Sequence, residues 1–241
     1  MKKINLAVLL SGSGRTLQNF IDLIGQEKLP ATIQVVISSK KDAYGLERAK
    51  KHNIPNYVVE HKQYSSTCPV RKNTNGDKDI SCSLEHNAEL SNGVKMQQKL
   101  ATAEEFSQAI NNILNKYPID LIAMAGFLNL YIIPPEYKGK VMNIHPALLP
   151  DFGGKGFYTD KVHQAVLDAG VKFSGCTVHF ADNTYDTGPI ILQKKVPVLE
   201  NDTAHTLADR VFQAELEAYP EAIRLFAEGK LQYLGTTDKH G

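Results

Sequence analysis

The chain has 241 residues, with 27 Lys and Arg against 26 Asp and Glu, so its formal net charge is +1. Hydrophobic residues make up 42% and charged residues 22%, a composition that supports a folded core and excludes an intrinsically disordered chain. So small a net charge argues against a dedicated nucleic-acid-binding protein, and the first apolar run, Ile4 to Leu10, is too short to cross a membrane. We therefore expect a cytoplasmic protein that binds neither nucleic acid nor a membrane.

Strand-like and helix-like segments alternate along the chain, which predicts crossover units on a largely parallel sheet. The predicted strands are Ile4 to Leu10, Thr32 to Ser38, Tyr57 to Glu60, Asp120 to Phe127, Lys140 to Ile144, Phe173 to Phe180 and Pro189 to Val198. The first predicted helix follows the glycine loop after the first strand. The other predicted helices are Tyr44 to Lys51, a segment that begins at Thr102, Val162 to Leu167, and helices from about Asp202 onward with Pro220 between them. This pattern is typical of a single α/β domain.

One stretch, residues 64–99, interrupts the alternation because it has little apolar periodicity and carries the polar run Asn73 to Lys78. We interpret it as a surface insertion in a single domain of residues 1–241, with a lid or a partner-binding surface as the alternatives. Cys68, Cys82 and His86 lie within it, but their spacing does not match paired zinc ligands. No metal site is therefore predicted. Thr102 and Glu105 have the spacing of a capping box, which predicts that the next helix begins there.

A glycine-rich segment, Gly12 to Leu17, joins the first strand to the first helix. Backbone N–H groups at such a junction point toward the carboxyl edge of the sheet, where the helix dipole also favours an anion. Leu17 replaces the third glycine of a dinucleotide-binding loop, and the Gly-Lys-Ser/Thr ending of a P-loop is missing. The segment thus favours a single phosphate monoester, and the alternative is that its glycines serve only the backbone angles of the turn.

Polar side chains follow two other predicted strands. Asn143 and His145 are separated by one residue on an extended segment, so both side chains point to the same face. Asp186 lies in a polar loop that can reach the same edge of the sheet, and no Gly-x-Ser-x-Gly nucleophile motif is present. A histidine before a proline often has only a structural role, but together with an amide, a carboxylate and an anion loop it indicates a reactive site.

Four segments together resemble the phosphoribosylglycinamide formyltransferase family of folate-dependent enzymes: Ser11 to Gly14, Ala125 to Leu128, Asn143 to Pro150 and Asp186 to Gln193. The resemblance implies a doubly wound α/β fold, in which a mostly parallel, Rossmann-like sheet has antiparallel additions near the C-terminus. It also implies transfer of a formyl group from 10-formyltetrahydrofolate to glycinamide ribonucleotide by a monomer or homodimer without a metal. The alternatives are a formyltetrahydrofolate deformylase and a non-catalytic nucleotide-binding module on the same fold.

The resemblance also implies a role for individual positions. The implied catalytic residues are Asn143, His145 and Asp186, with Asn143 and a protonated His145 stabilising the oxyanion. The implied ribonucleotide-binding residues are Gly14, Arg15, Thr16, Lys155 and Glu215. The implied folate-binding residues are Leu128, Asn129, Leu130, Tyr131, Asn143, Asp182, Asn183, Thr184 and Tyr185.

Overall fold

A computed structural model describes residues 2–64, 92–154, 156 and 160–233. Its strands are β1 (Ile4–Leu10), β2 (Ala31–Ser38), β3 (Asn56–Val58), β4 (Leu121–Met124), β5 (Val141–His145), β6 (Phe173–Phe180) and β7 (Ile190–Pro197). Its α-helices are α1 (Arg15–Gly25), α2 (Tyr44–Lys51), α3 (Asn92–Leu114), α4 (Asp160–Asp168) and α5 (Ala204–Ala227). Single 3-10 turns lie at His61–Gln63 and Pro135–Tyr137.

The seven strands form one sheet in the order β3-β2-β1-β4-β5-β6-β7. The pairs from β3 to β5 are parallel, whereas β5 pairs with β6 and β6 with β7 in the antiparallel sense. This arrangement confirms the predicted fold, including the antiparallel additions. The chain proceeds outward from β1 to β3 and then returns to β4 on the other side of β1, and the crevice at such a reversal is the usual ligand site of an open α/β sheet.

The buried side chains form two layers, one on each face of the sheet. Because side chains alternate along a strand, β1 sends Leu6, Val8 and Leu10 to one layer and Ala7 and Leu9 to the other. The first layer also contains the apolar faces of α1, α2, α4 and α5, and the second contains that of α3. A site at the carboxyl edge can therefore be approached over either face.

Two predicted helix boundaries are wrong. Helix α3 begins at Asn92, so Thr102 lies inside it and the last part of the predicted insertion, residues 92–99, is helical. The capping-box spacing is ambiguous because residues three apart are also neighbours within a helix. The rest of that insertion lies outside the described residues, apart from Tyr64, which ends the first 3-10 turn.

Pro220 does not separate two helices, since α5 runs through it without a break. A proline has no N–H, so the carbonyl four residues earlier, that of Leu216, loses its helical donor. The side-chain amide of Asn19 in α1 donates to this carbonyl oxygen at 2.8 Å. The missing helical hydrogen bond is thus replaced by a bond between two helices, which is why a buried proline is tolerated here.

Candidate active site

A cleft of about 900 Å³ lies at the carboxyl edge of β1, β4 and β5. The predicted site residues that line it are Gly14, Arg15, Thr16, Leu128, Asn129, Leu130, Tyr131, Asn143, His145, Asp182, Thr184, Tyr185, Asp186 and Glu215. Asn183 is not among the lining residues, and its side-chain oxygen accepts a hydrogen bond from the backbone N–H of Ile133 at 2.8 Å. Lys155 lies outside the described residues.

Asn143 and His145 stand at the end of β5, where Asp186 meets both of them. The Asp186 carboxylate lies 3.4 Å from Nδ1 of His145 and accepts a hydrogen bond from Nδ2 of Asn143 at 3.3 Å. The backbone N–H of Gly154 also donates to this carboxylate, at 3.0 Å. Asp186 itself has a positive φ of 58°, an unfavourable angle for a residue with a side chain. Strained backbone of this kind is often found at functional sites.

His179 belongs to the same cluster, although its role was not predicted from the sequence. It lies directly opposite Asn143 in the antiparallel pairing of β6 with β5. Its Nδ1 lies 2.9 Å from the carbonyl oxygen of Phe180, and its Nε2 lies 3.1 Å from Nδ2 of Asn143 and 3.6 Å from the Asp186 carboxylate. The amide nitrogen of Asn143 therefore contacts both His179 and Asp186.

Burial and charge set the protonation of the cluster. Burial lowers the pKa of His145 below its usual value, and the attraction of Asp186 with the nearby Phe152 carbonyl offsets only part of this effect. Burial alone would raise the pKa of Asp186, but its contacts with His179, His145 and the Gly154 N–H hold it below its usual value. We therefore expect a neutral imidazole beside an ionised carboxylate in the free site at neutral pH, and the protonated His145 implied by the resemblance stays a prediction for the stage at which the oxyanion is present.

The His145 ring has an acceptor at each nitrogen. Nε2 lies 2.8 Å from the carbonyl oxygen of Phe152, and Nδ1 faces Asp186. A neutral ring can donate to only one of these acceptors, whereas an imidazolium donates to both. Additional negative charge in the cleft would therefore favour protonation of this ring.

The glycine loop, residues 11–14, forms one wall of the cleft. Gly14 precedes α1 with φ 67°, and a Cβ added there would lie 2.6 Å from the Cα of Gly45. The first N–H groups of α1 have no partner within the helix, as at any helix start. Behind the loop, the hydroxyl oxygen of Ser11 accepts the N–H of Leu128 at 3.0 Å, which joins this wall to the segment after β4.

Arg15 and Glu215 lie on the α5 side of the cleft. The guanidinium carbon of Arg15 is 3.8 Å from the centre of the Phe212 ring, and a guanidinium nitrogen lies 3.9 Å from Asp209. Arg15 is thus held against α5 by stacking as well as by charge. Burial raises the pKa of Glu215 to about 7, and the positive charge of Arg15 offsets this only in part.

The raised pKa of Glu215 predicts a loss of stability as the pH rises. The folded state binds the proton of the Glu215 carboxyl group more tightly than the unfolded state does. The stabilisation that this gives is complete below the usual pKa of 4.5 and is lost as the pH rises past about 7. The loss is on the order of 3 kcal/mol. We expect Glu215→Gln to remove it, which thermal unfolding at pH 5 and pH 8 will measure. Glu217→Gln, an exposed change on the same helix, is the control, and equal pH dependence in wild type and Glu215→Gln would contradict the prediction.

Several residues that line the cleft were not predicted from the sequence. They are Lys40, His163, His179, Ala208 and Phe212. Lys40 could have been proposed because it follows the carboxyl end of β2, where site residues of an open sheet collect. Phe212 could not, since an aromatic residue at helical spacing indicates a buried face equally well.

Comparison with known proteins places these observations in one family. The family model described as "Formyl transferase" matches residues 4–223. A phosphoribosylglycinamide formyltransferase from Haemophilus influenzae is 35% identical over 236 residues, which is 96% of this chain and 90% of that protein. The chain belongs to the formyl transferase family. The formyl transferase fold also appears in the crystal structure of glycinamide ribonucleotide transformylase 1 from Symbiobacterium toebii, with a TM-score of 0.73, 36% identity, and coverage of 95% of this chain and 90% of that one.

Some relatives of this chain are much longer. The trifunctional purine biosynthetic protein adenosine-3 of Homo sapiens is 35% identical over 240 residues, which is 99% of this chain but only 20% of that protein. The chain spans between 14% and 20% of the length of the trifunctional relatives that it matches. Among residues 2–64, 92–154, 156 and 160–233, no helix has the length and apolar character needed to cross a bilayer.

Proposed function

We propose that the chain transfers the formyl group of 10-formyltetrahydrofolate to the primary amine of glycinamide ribonucleotide, a step of de novo purine synthesis. The observation that carries this proposal is the shared cleft, in which Asn143, His145 and Asp186 stand beside a glycine loop suited to a phosphate. Membership of the formyl transferase family supports the reaction class.

The two faces of the sheet support two substrate subsites. The proposed ribonucleotide residues come from α1, α5 and the glycine loop, on the face whose core contains Leu17 and Val211. The proposed folate residues follow β4 and β6, and Tyr131 among them is buried in the core of the opposite face. Leu128 and Tyr185 line the cleft, are partly exposed and offer apolar surface to a flat heterocycle. The amine of one substrate can thus meet the formyl group of the other over the end of β5.

In the proposed reaction the amine attacks the formyl carbon, and negative charge develops on the formyl oxygen. In the proposed complex that oxygen accepts hydrogen bonds from Nε2 of His145 and Nδ2 of Asn143. It takes the place of the Phe152 carbonyl at the first nitrogen and of the Asp186 carboxylate at the second. Each such donor contributes ~3–4 kcal/mol to the transition state. The developing charge adds to that of Asp186 and raises the pKa of His145, which favours the imidazolium only when the charge is present.

Asp186 also has a proposed part in proton transfer. The attacking amine must lose a proton, and the leaving nitrogen of the folate must gain one. An ionised Asp186 at the edge of the cleft can orient a water molecule between these two nitrogens. This route uses no metal ion and forms no covalent bond between enzyme and substrate.

The test is a kinetic assay with 10-formyltetrahydrofolate in the presence and in the absence of glycinamide ribonucleotide. The proposal predicts formylated ribonucleotide in the complete mixture and little formate without the acceptor. Formate release at the same rate without the ribonucleotide would instead identify a deformylase. Absence of both products would favour a non-catalytic nucleotide-binding module.

We propose a cytoplasmic protein that acts on small molecules as a monomer or homodimer. Sedimentation at micromolar concentration will distinguish these two states. Its substrates being small soluble molecules, the reaction requires neither nucleic acid nor a membrane.

A further inference from the structure

Helix α2 binds the two backbone carbonyl groups of the glycine loop that precede Gly14. The N–H of Gly45 donates to the carbonyl oxygen of Gly12 at 3.1 Å. The Nε–H of Arg48 donates to the carbonyl oxygen of Ser13 at 2.9 Å. Both carbonyl oxygens of this exposed turn therefore accept hydrogen bonds from α2.

The loop and α2 also approach each other more closely than side chains would permit. A Cβ added to Gly14 would lie 2.6 Å from the Cα of Gly45, and one added to Gly45 would lie 3.3 Å from the Cα of Gly14. The Gly45 position is further limited by Leu10, whose methyl carbons would lie 2.6 and 2.9 Å from the added atom. Two glycines are therefore required for the loop and the helix to be in backbone contact.

The Arg48 side chain is held from several sides. Its Nη1–H donates to Oε1 of Gln18 in α1 at 3.1 Å, and its guanidinium carbon lies 4.9 Å from the centre of the Tyr44 ring. One planar group thus connects α2, the glycine loop and α1. A lysine could supply the charge but not this pair of directed donors.

These contacts matter because a backbone anion site depends on which peptide groups face the ligand. N–H groups attract a phosphate, whereas a carbonyl oxygen that turned into the cleft would repel it. We propose that Gly45 and Arg48 are positioning residues for ribonucleotide binding, which hold the carbonyl groups of Gly12 and Ser13 away from the phosphate. The inference rests on the proposed function for the identity of the phosphate compound, but inorganic phosphate tests it separately.

The experiment compares Arg48→Met and Gly45→Ala with the wild type. Isothermal titration will give the affinity for glycinamide ribonucleotide and for inorganic phosphate, and steady-state kinetics will give kcat and the KM for the folate. We expect Arg48→Met to weaken both phosphate ligands by about tenfold, as for loss of one charge-assisted hydrogen bond. Gly45→Ala keeps the charge of Arg48 and should weaken them by at least about threefold through displacement of the loop.

Matched controls lie on the same helix. Glu47 and Lys50 form an exposed ion pair at 2.7 Å, and Glu47→Gln and Lys50→Met should leave every constant within about twofold of wild type. Arg48→Lys should restore only part of the affinity. In both test variants, kcat at saturation and the folate KM should also stay within about twofold, since the loop acts on ribonucleotide binding.

Three results would overturn the inference. One is unchanged phosphate affinity in Arg48→Met. Another is a normal affinity in Gly45→Ala, because the effect of Arg48 would then come from its charge alone. The third is an equal loss in kcat and in both substrate affinities, which would indicate a general structural role. If wild type binds inorganic phosphate but not the ribonucleotide, the proposed function fails and the phosphate data still decide the inference; if it binds neither, both fail.

Discussion

Replacing His145 with alanine is expected to lower kcat by ~10²–10⁴ while the affinity for glycinamide ribonucleotide changes little. The ring lies at the end of β5 between Asp186 and the Phe152 carbonyl, and it is not part of the glycine loop that is proposed to hold the phosphate. Its donor matters most when negative charge develops on the formyl oxygen, so its loss should affect the transition state more than substrate binding. Steady-state rates at saturation and isothermal titration will measure the two effects.

The control for this variant is His205→Ala. His205 is an exposed residue of α5 that pairs with Asp209, and it does not line the cleft. Its replacement should leave kcat near the wild-type value, and circular dichroism should confirm that both variants are folded. Normal turnover in His145→Ala would refute the proposed catalytic role.

Replacing Gly14 with valine should weaken ribonucleotide binding by more than about a hundredfold, whereas Arg15→Ala should weaken it by less than about tenfold. Gly14 has φ 67°, and any Cβ there would collide with the backbone of Gly45. Arg15→Ala keeps the backbone N–H at the helix start, and the lost guanidinium is already engaged with Phe212 and Asp209. Isothermal titration of the ribonucleotide into each variant will compare the losses.

A second glycine provides the matched control. An added Cβ at Gly25, the last residue of α1, would have nothing within 4 Å, so Gly25→Ala changes the helix that follows the loop without a collision and outside the cleft. It should bind the ribonucleotide nearly as well as wild type. If Arg15→Ala loses more affinity than Gly14→Val, the phosphate is held by a side-chain ion pair and not by the backbone.

The sequence predicted those features that depend on local periodicity. The alternation of side chains along β5 places Asn143 and His145 on one face of the sheet. The glycines before α1 indicate the anion-binding loop. The approach of Asp186 to His145 was inferred from the resemblance to a known family as well as from its loop. The largely parallel sheet could be predicted because strand-like and helix-like segments alternate along the chain.

The remaining features depend on pairing between distant segments. His179 meets Asn143 only because β6 is antiparallel to β5 in one particular register, which no local pattern specifies. The lowered pKa of His145 results from burial, which requires the packed structure. Asn183 does not line the cleft and its amide oxygen accepts the Ile133 N–H, so its part in the folate subsite stays a prediction. A polar residue in a loop has the same composition whether it faces a ligand or a neighbouring backbone.

The bond between Asn19 and the Leu216 carbonyl also has a consequence for local unfolding. Because Pro220 interrupts the hydrogen-bond ladder of α5, the final turns of this helix can open without breaking a continuous chain of helical bonds. We expect amide hydrogens after residue 220 to exchange with deuterium sooner than those of the preceding turns. Fraying at the end of α5 would then stop short of Glu215, and the cleft would keep its wall while the end of the helix opens and closes.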